Sequence, residues 1–184
     1  MRKLKFHEQK LLKKVKFAPE WQKGSNLREV KILRRYHIQK REDYTRYNRI
    51  CGLITSFVAR LKKLTEDDPV RIDLTGALLE KCYNLGLIKT KKSLVQIETL
   101  SASKFCRRRL PVVMVRNHMA QNLTEATAFV EQGHIRVGLD IIRDPSFLLT
   151  RQMEDYLTWA DKSSIKQKIK AFNGDVDDFE LLGE

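Results

Sequence analysis

Cysteine is scarce in this chain of 184 residues. Cys51, Cys82 and Cys106 are odd in number, far apart and outside any C-x-x-C pair, so neither a disulfide framework nor a zinc site is indicated. They read as reduced, partly buried thiols inside a cell. Long apolar runs are missing too. No stretch approaches the roughly 18 apolar residues of a membrane span. The opening segment MRKLKFHEQKLLKKVKF has no uninterrupted apolar core of the kind a signal peptide needs. Rich in lysine, free of serine and carrying Glu8, it does not suit a transit peptide either. The expectation is a soluble, intracellular protein with no membrane partner. Catalytic signatures are likewise absent: His7, His37, His118 and His134 show no H-x-x-H or H-E-x-x-H spacing, and there is no G-x-S-x-G, P-loop or G-x-G-x-x-G. The pairs Glu42-Asp43 and Asp67-Asp68 fall at expected helix boundaries, where capping explains them better than acid–base work. No enzyme, cofactor or metal is expected, and no internal repeat or low-complexity tract appears.

What the chain does have is positive charge, unevenly placed. The net charge is +13, yet nineteen of the 36 Lys and Arg, against five of the 23 Asp and Glu, lie in residues 1–63. The remaining seventeen and eighteen nearly cancel. Scattered lysines usually only solvate a surface. A surplus this concentrated, on segments that also carry Tyr36, Tyr44 and Tyr47, favours a polyanionic partner. With 42% hydrophobic residues the chain still has material for a core.

Hydrophobic periodicity organises the first part as helices. An arm at 1–26 has a weak apolar stripe, Leu4, Leu11, Leu12 and Val15, broken by Pro19, Gly24 and Ser25, and is expected to order on a partner. A short helix over 27–38 would turn Leu27, Val30 and Leu33 inward and Arg28, Lys31, Arg34 and Arg35 outward. Asp43 is placed to cap a longer helix with Tyr47, Ile50, Cys51, Ile54, Phe57, Val58 and Leu61 on one stripe. A third helix, marked by Leu74, Ala77, Leu78 and Leu85, would stop at Gly86 in the left-handed conformation. Lys89 to Ser93 reads as a polar connector, and Leu94, Ile97 and Leu100 as a short apolar segment.

The second part differs. Pro111 fits the first turn of a helix running to about Ala120. Asn122 and Glu125 suggest a capping box on a helix that buries Leu123, Ala126, Phe129 and Val130 before Gly133. Ile135 and Val137 then alternate with His134 and Arg136, which predicts a strand with the basic pair outward. Turns at 138–140 and at Asp144-Pro145 separate further short apolar segments, Ile141-Ile142, Phe147 to Leu149, and Tyr156 to Trp159. The tail from Asp175 is acidic.

Arg107, Arg108 and Arg109 are the most informative cluster. They could pair with Glu131 or Asp140. Beside His134 and Arg136, however, their planar forks suit RNA phosphates and bases better, with Leu110 pointing inward. Gly133 has a structural role and would also let a phosphate approach the backbone N–H groups. His134 is equally suited to RNA contact and to closing the helix end.

At these residues the chain resembles the S-four RNA-binding domain family, through RRRLP at 107–111, Glu125-Ala126 and GHIRVG at 133–138. RKLKFHEQKLLKKV near the start, YHIQKREDYTRYNRICG at 36–52, FCRRRLP, FVEQGHIRVG and LLTRQMEDYLTW narrow this further. Together they are similar to the small S-four-domain proteins of the U-three small nucleolar ribonucleoprotein, related to the small-subunit ribosomal S-four proteins. Leu139 departs from the proline that often follows RVG in that family. The resemblance implies an α+β fold, with a basic arm (1–26), a mainly helical region (27–104), an S-four-like domain of two helices on a small turn-rich sheet (105–172), and an acidic tail (173–184). It also implies a noncatalytic nucleolar RNA-binding protein of the small-subunit processome. Its partners would be the U-three small nucleolar RNA, precursor ribosomal RNA and other processome proteins. A structural small-subunit ribosomal protein is the alternative. Expected RNA contacts are Arg107, Arg108, Arg109, Arg116, Gly133, His134 and Arg136 in the domain, Lys3, Lys5, Lys10, Lys13 and Lys14 in the arm, and Arg34, Arg35, Lys40 and Arg41 around the first basic helix.

Overall fold

A computed structural model describes residues 2–14 and 26–174, with side chains described for 2–11 and 27–174. Helix α1 (Phe6–Lys14) lies in the arm. Glu8 supports its first turn by accepting from the Lys5 N–H at 2.9 Å and pairing with Arg2 at 2.7 Å. Leu4, Phe6 and Leu11 are exposed. Val15, Pro19, Gly24 and Ser25 lie outside the described residues, as does the acidic stretch from Asp175.

Five helices build the first core. In α2 (Asn26–Arg35) the buried side chain is Ile32, with Tyr36 one turn on and Leu33 half-buried. Leu27 and Val30 remain exposed, so the expected inward face is rotated by part of a turn toward the Ile32–Tyr36 pair. His37 ends this helix with φ 47°, while the Ile38 N–H donates back to Leu33 O at 3.0 Å. Helix α3 (Arg41–Leu61) begins ahead of Asp43. Asp43 is thus not its cap but a buried member of its first turn, and Tyr47, Cys51, Val58 and Leu61 continue the buried stripe. Helix α4 (Pro69–Asn84) is capped by Asp68, which accepts from the Val70 N–H at 2.9 Å, and Gly86 follows it with φ 73°, as periodicity and turn chemistry predict. Two short helices, α5 (Val95–Glu98) and α6 (Ala102–Cys106), occupy the segment read only as apolar. They bring Ile97, Phe105 and Cys106 into the core, where Tyr47 stacks on Phe105 with ring centroids 5.6 Å apart.

The second core lies between α7 (Leu110–Arg116), α8 (Leu123–Glu131) and a small sheet. Helix α7 stops short of Ala120 because the chain turns at Asn117 and His118, the latter at φ 59°. Asn122 makes no side-chain cap. Instead, Glu125 reaches back to the Gln121 N–H at 3.0 Å. Strands β1 (Ile135–Val137), β2 (Asp140–Ile141) and β3 (Leu157–Trp159) form an antiparallel sheet in the order β2-β1-β3. Ile135 and Leu157 are buried from it, while Arg136, opposite Thr158 and Ile141, occupies the outer face. Helix α9 (Arg151–Glu154) precedes β3, and α10 (Ser164–Asn173) closes the described chain between a Ser163 cap and Gly174 at φ 76°.

Phe147 to Leu149 do not join the sheet. They run antiparallel to the arginine triplet: the Leu110 N–H donates to Phe147 O and the Leu149 N–H to Arg108 O, both at 2.9 Å. Leu148 packs on the first core and Leu149 sits in the second, so this ladder fastens the two together. Among the described residues, no helix is long and apolar enough to cross a membrane.

Candidate nucleic-acid interface

The three arginines, adjacent in sequence, leave the chain in three directions. Arg109 is buried and pairs with Asp43 of α3 at 3.1 Å. Arg108 is buried as well, with Nε and a terminal nitrogen both donating to Leu149 O, at 2.9 and 2.7 Å, and with an ion pair to Glu154 of α9. Burial pulls the Arg108 guanidinium below its ordinary pKa, and Glu154 opposes the shift. A charge held this way is a strut between elements, since exposing it to phosphate would break the bonds that offset its desolvation. Arg107 alone points to solvent, its Nε donating to the Tyr36 hydroxyl at 3.2 Å. The expectation that all three present their forks outward is not met by Arg108 and Arg109, and of the three only Arg107 is exposed. The pairing partners weighed from sequence, Glu131 and Asp140, are not the ones used.

Gly133 takes φ 79°, but its N–H donates to Val130 O and that of His134 to Phe129 O, both at 3.0 Å. These N–H groups complete the helix end and are not free for a phosphate. Instead, the Arg143 side chain lies over Gly133, where an added Cβ would meet its Nε at 3.1 Å. His134 is half-buried, its Nδ1 3.0 Å from Ser163 Oγ, and so serves the join between β1 and α10. Arg136 donates to Thr158 Oγ1 at 3.0 Å and pairs with Asp161. The Lys166 ammonium on that same carboxylate, helped by Arg136, holds Asp161 below the usual carboxylate range. Arg136 is therefore partly neutralised, and Arg116, half-exposed, shares Glu154 with Arg108.

A cationic surface lies at the end of α2. Arg34 and Arg35 are exposed, and the Arg35 guanidinium sits 5.8 Å from the centre of the Tyr36 ring whose hydroxyl holds Arg107. Tyr36 and Tyr47 are core residues and Tyr44 is half-buried; Tyr36 holds the two arginines, while Tyr47 stacks on Phe105 and donates to Ser146 O. Lys40 is exposed beside this face, whereas Arg41 is engaged by Glu29 at 2.6 Å, which raises its pKa through the hydrogen bond and the charge. In the arm Lys3, Lys5 and Lys10 are exposed; the side chains of Lys13 and Lys14 lie outside those described. Sequence reasoning missed Arg143 and the basic loop 89–92, because neither carries a motif. What the face can do chemically is hold and screen phosphates. Among the described residues no group of His, Cys, Asp and Glu is arranged to hold a metal.

Comparison with known proteins finds matches along the chain. The family model for the ribosomal protein S4/S9 N-terminal domain matches residues 3–107, and the S4 domain model matches 108–155. The U3 small nucleolar ribonucleoprotein protein IMP3 of Mus musculus is 51% identical over 181 residues, covering 98% of each chain. Its counterpart in Saccharomyces cerevisiae is 48% identical over 182 residues, or 98% of this chain and 99% of its own. More distantly, small ribosomal subunit protein uS4 of Picrophilus torridus is 26% identical over 162 residues, 85% of this chain and 87% of its own.

Proposed function

The chain belongs to the family of the U3 small nucleolar ribonucleoprotein protein IMP3, and we propose that it serves as a noncatalytic RNA-binding component of that particle in the nucleolus. Its partners are the U3 small nucleolar RNA and the particle's proteins. Its task is to promote pairing of that RNA with precursor ribosomal RNA inside the small-subunit processome, so that the small-subunit RNA can be processed. One observation carries this reading: Arg35 and Arg107 meet on Tyr36, with Arg34 exposed on the same last turn of α2, where the helical region meets the S4 domain. Two RNA strands can pair only when their phosphates are screened, and each phosphate neutralised releases counterions. The S4 domain fixes orientation through its few engaged basic residues, and the arm and α2 supply most of the attraction.

An annealing assay with two complementary RNA oligonucleotides over a salt series tests this. Removing residues 1–25 should slow annealing and flatten the dependence on salt. An unchanged slope removes the arm from the mechanism. The similarity to uS4 makes a resident ribosomal protein the second reading. On sucrose gradients that protein would stay with mature small subunits, whereas a processome component leaves before maturation.

A further inference from the structure

We propose that the chain has a second RNA-binding surface, formed by loop 89–92, α9 and the end of α7, which takes the phosphate backbone of the second strand. The inference rests on the RNA-pairing role above and deepens it. The loop follows Gly86 and is held by one backbone bond just ahead of it and by side-chain contacts within it. Ile88 O accepts from Arg151 at 2.6 Å, and Thr90 Oγ1 accepts from Gln96 at 2.7 Å. Lys91 pairs with Glu80 at 3.3 Å while its ammonium sits 4.9 Å from the centre of the Tyr83 ring, which also carries the Arg151 guanidinium at 4.0 Å.

Between these anchors Lys89 and Lys92 are exposed and have no partner among the described residues. A loop held by these contacts while two like charges go uncompensated suits a polyanion, because part of its ordering entropy is lost before binding. The patch continues along α9. Arg151 is one turn before Glu154, whose carboxylate pairs with the buried Arg108 and the half-exposed Arg116.

The surface is separate from the first. Arg107 turns toward Tyr36 at the end of α2 and Arg108 toward α9, so successive residues serve different sides of the same ladder. Pairing needs two strands held at once, and a single cationic face would leave them competing for it. The lysines are point charges on flexible stems, suited to sequence-independent contact with a backbone.

The test uses the full chain with Lys89→Glu/Lys92→Glu, the milder Lys89→Ala/Lys92→Ala, and Arg34→Ala/Arg35→Ala for comparison. Binding of one RNA oligonucleotide is followed by anisotropy, annealing to its complement by energy transfer, and binding of poly-glutamate in parallel. Both lysine variants should keep single-strand affinity within about threefold. They should slow annealing about tenfold or more and lower its log–log salt slope by about 1.4, the value for two phosphate contacts on single strands. Equal losses in single-strand binding and annealing would mean one continuous surface and overturn the proposal. Unchanged annealing would also overturn it, and if poly-glutamate binding fell in that case, the surface would belong to an acidic protein. Failure of the wild-type chain to bind RNA would overturn the RNA-pairing role itself, whereas loss confined to the Arg34/Arg35 variant would overturn only the second surface.

Discussion

Replacing Gly86 by alanine probes the joint that positions both surfaces. At φ 73° an alanine is strained by about 1 kcal/mol. Its Cβ would lie 2.8 Å from the guanidinium carbon of Arg108 and 2.9 Å from two of its nitrogens. That guanidinium is the far end of a long side chain and can swing aside only by giving up bonds to Leu149 O and Glu154. Losing one or two charge-assisted hydrogen bonds in a buried setting adds about 2–3 kcal/mol. The expected total is about 3–4 kcal/mol, or roughly 6–16 °C in Tm for a chain of this size. Gly138→Ala is the control, since Gly138 has φ 64° with nothing near the added Cβ, and should cost only about 1 kcal/mol. In an Arg108→Met background the Gly86 substitution should shrink to that same value. Denaturant and thermal unfolding of the four-member cycle would show a coupling of about 2–3 kcal/mol. If Gly86→Ala costs no more than Gly138→Ala, or if the two effects simply add, the packing argument is wrong.

Breaking the buried Arg109–Asp43 pair with Arg109→Met should cost about 3–5 kcal/mol in denaturant unfolding, and Arg109→Met/Asp43→Leu should recover most of that. Arg107→Ala should weaken RNA binding and lower the salt slope by about 0.7–0.9 while leaving Tm nearly unchanged. Arg108→Met should do the reverse, lowering Tm without changing the slope of the folded protein. Burial pushes the Cys106 thiol up to about 11 from its ordinary 9.0, so above pH 9 the unfolded chain gives up a proton that the native chain keeps. Stability should therefore fall as pH rises from about 9 to 11, by about 2–3 kcal/mol from this group. The alkaline limb should be flatter by that amount in Cys106→Ala.

Much of the architecture is legible in the residues because local signals and burial agree. The Tyr47–Val58–Leu61 stripe, the Asp68-Pro69 start and the Gly86 stop all describe α4 or the long helix before it without tertiary information. The sheet was foreseeable from Ile135 and Val137 alternating with basic residues. Failures occur where a distant partner decides. Asp43 has the right type and place for a cap, yet Arg109, 66 residues away, draws it into the core. Arg107 to Arg109 look equivalent as a triplet, but their fates are set by Tyr36 just past α2, Glu154 on α9 and Asp43 on α3. Helices α5 and α6 are too short to show a 3.6-residue period, and α10 is weakly apolar with none of its residues buried. The arm and the face on α2 were readable as charge, whereas the basic loop at 89–92 gains meaning only from the groups that pin it.

Crosslinking the protein to RNA in living cells, then sequencing the attached RNA and mapping the adducted peptides, tests the central claim most directly. The account predicts reads in the U3 small nucleolar RNA and in the precursor spacer, with adducts at Arg34, Arg35 and Arg107 and none at Arg108 or Arg109. Reads confined to mature ribosomal RNA, or adducts at the two buried arginines, would contradict it.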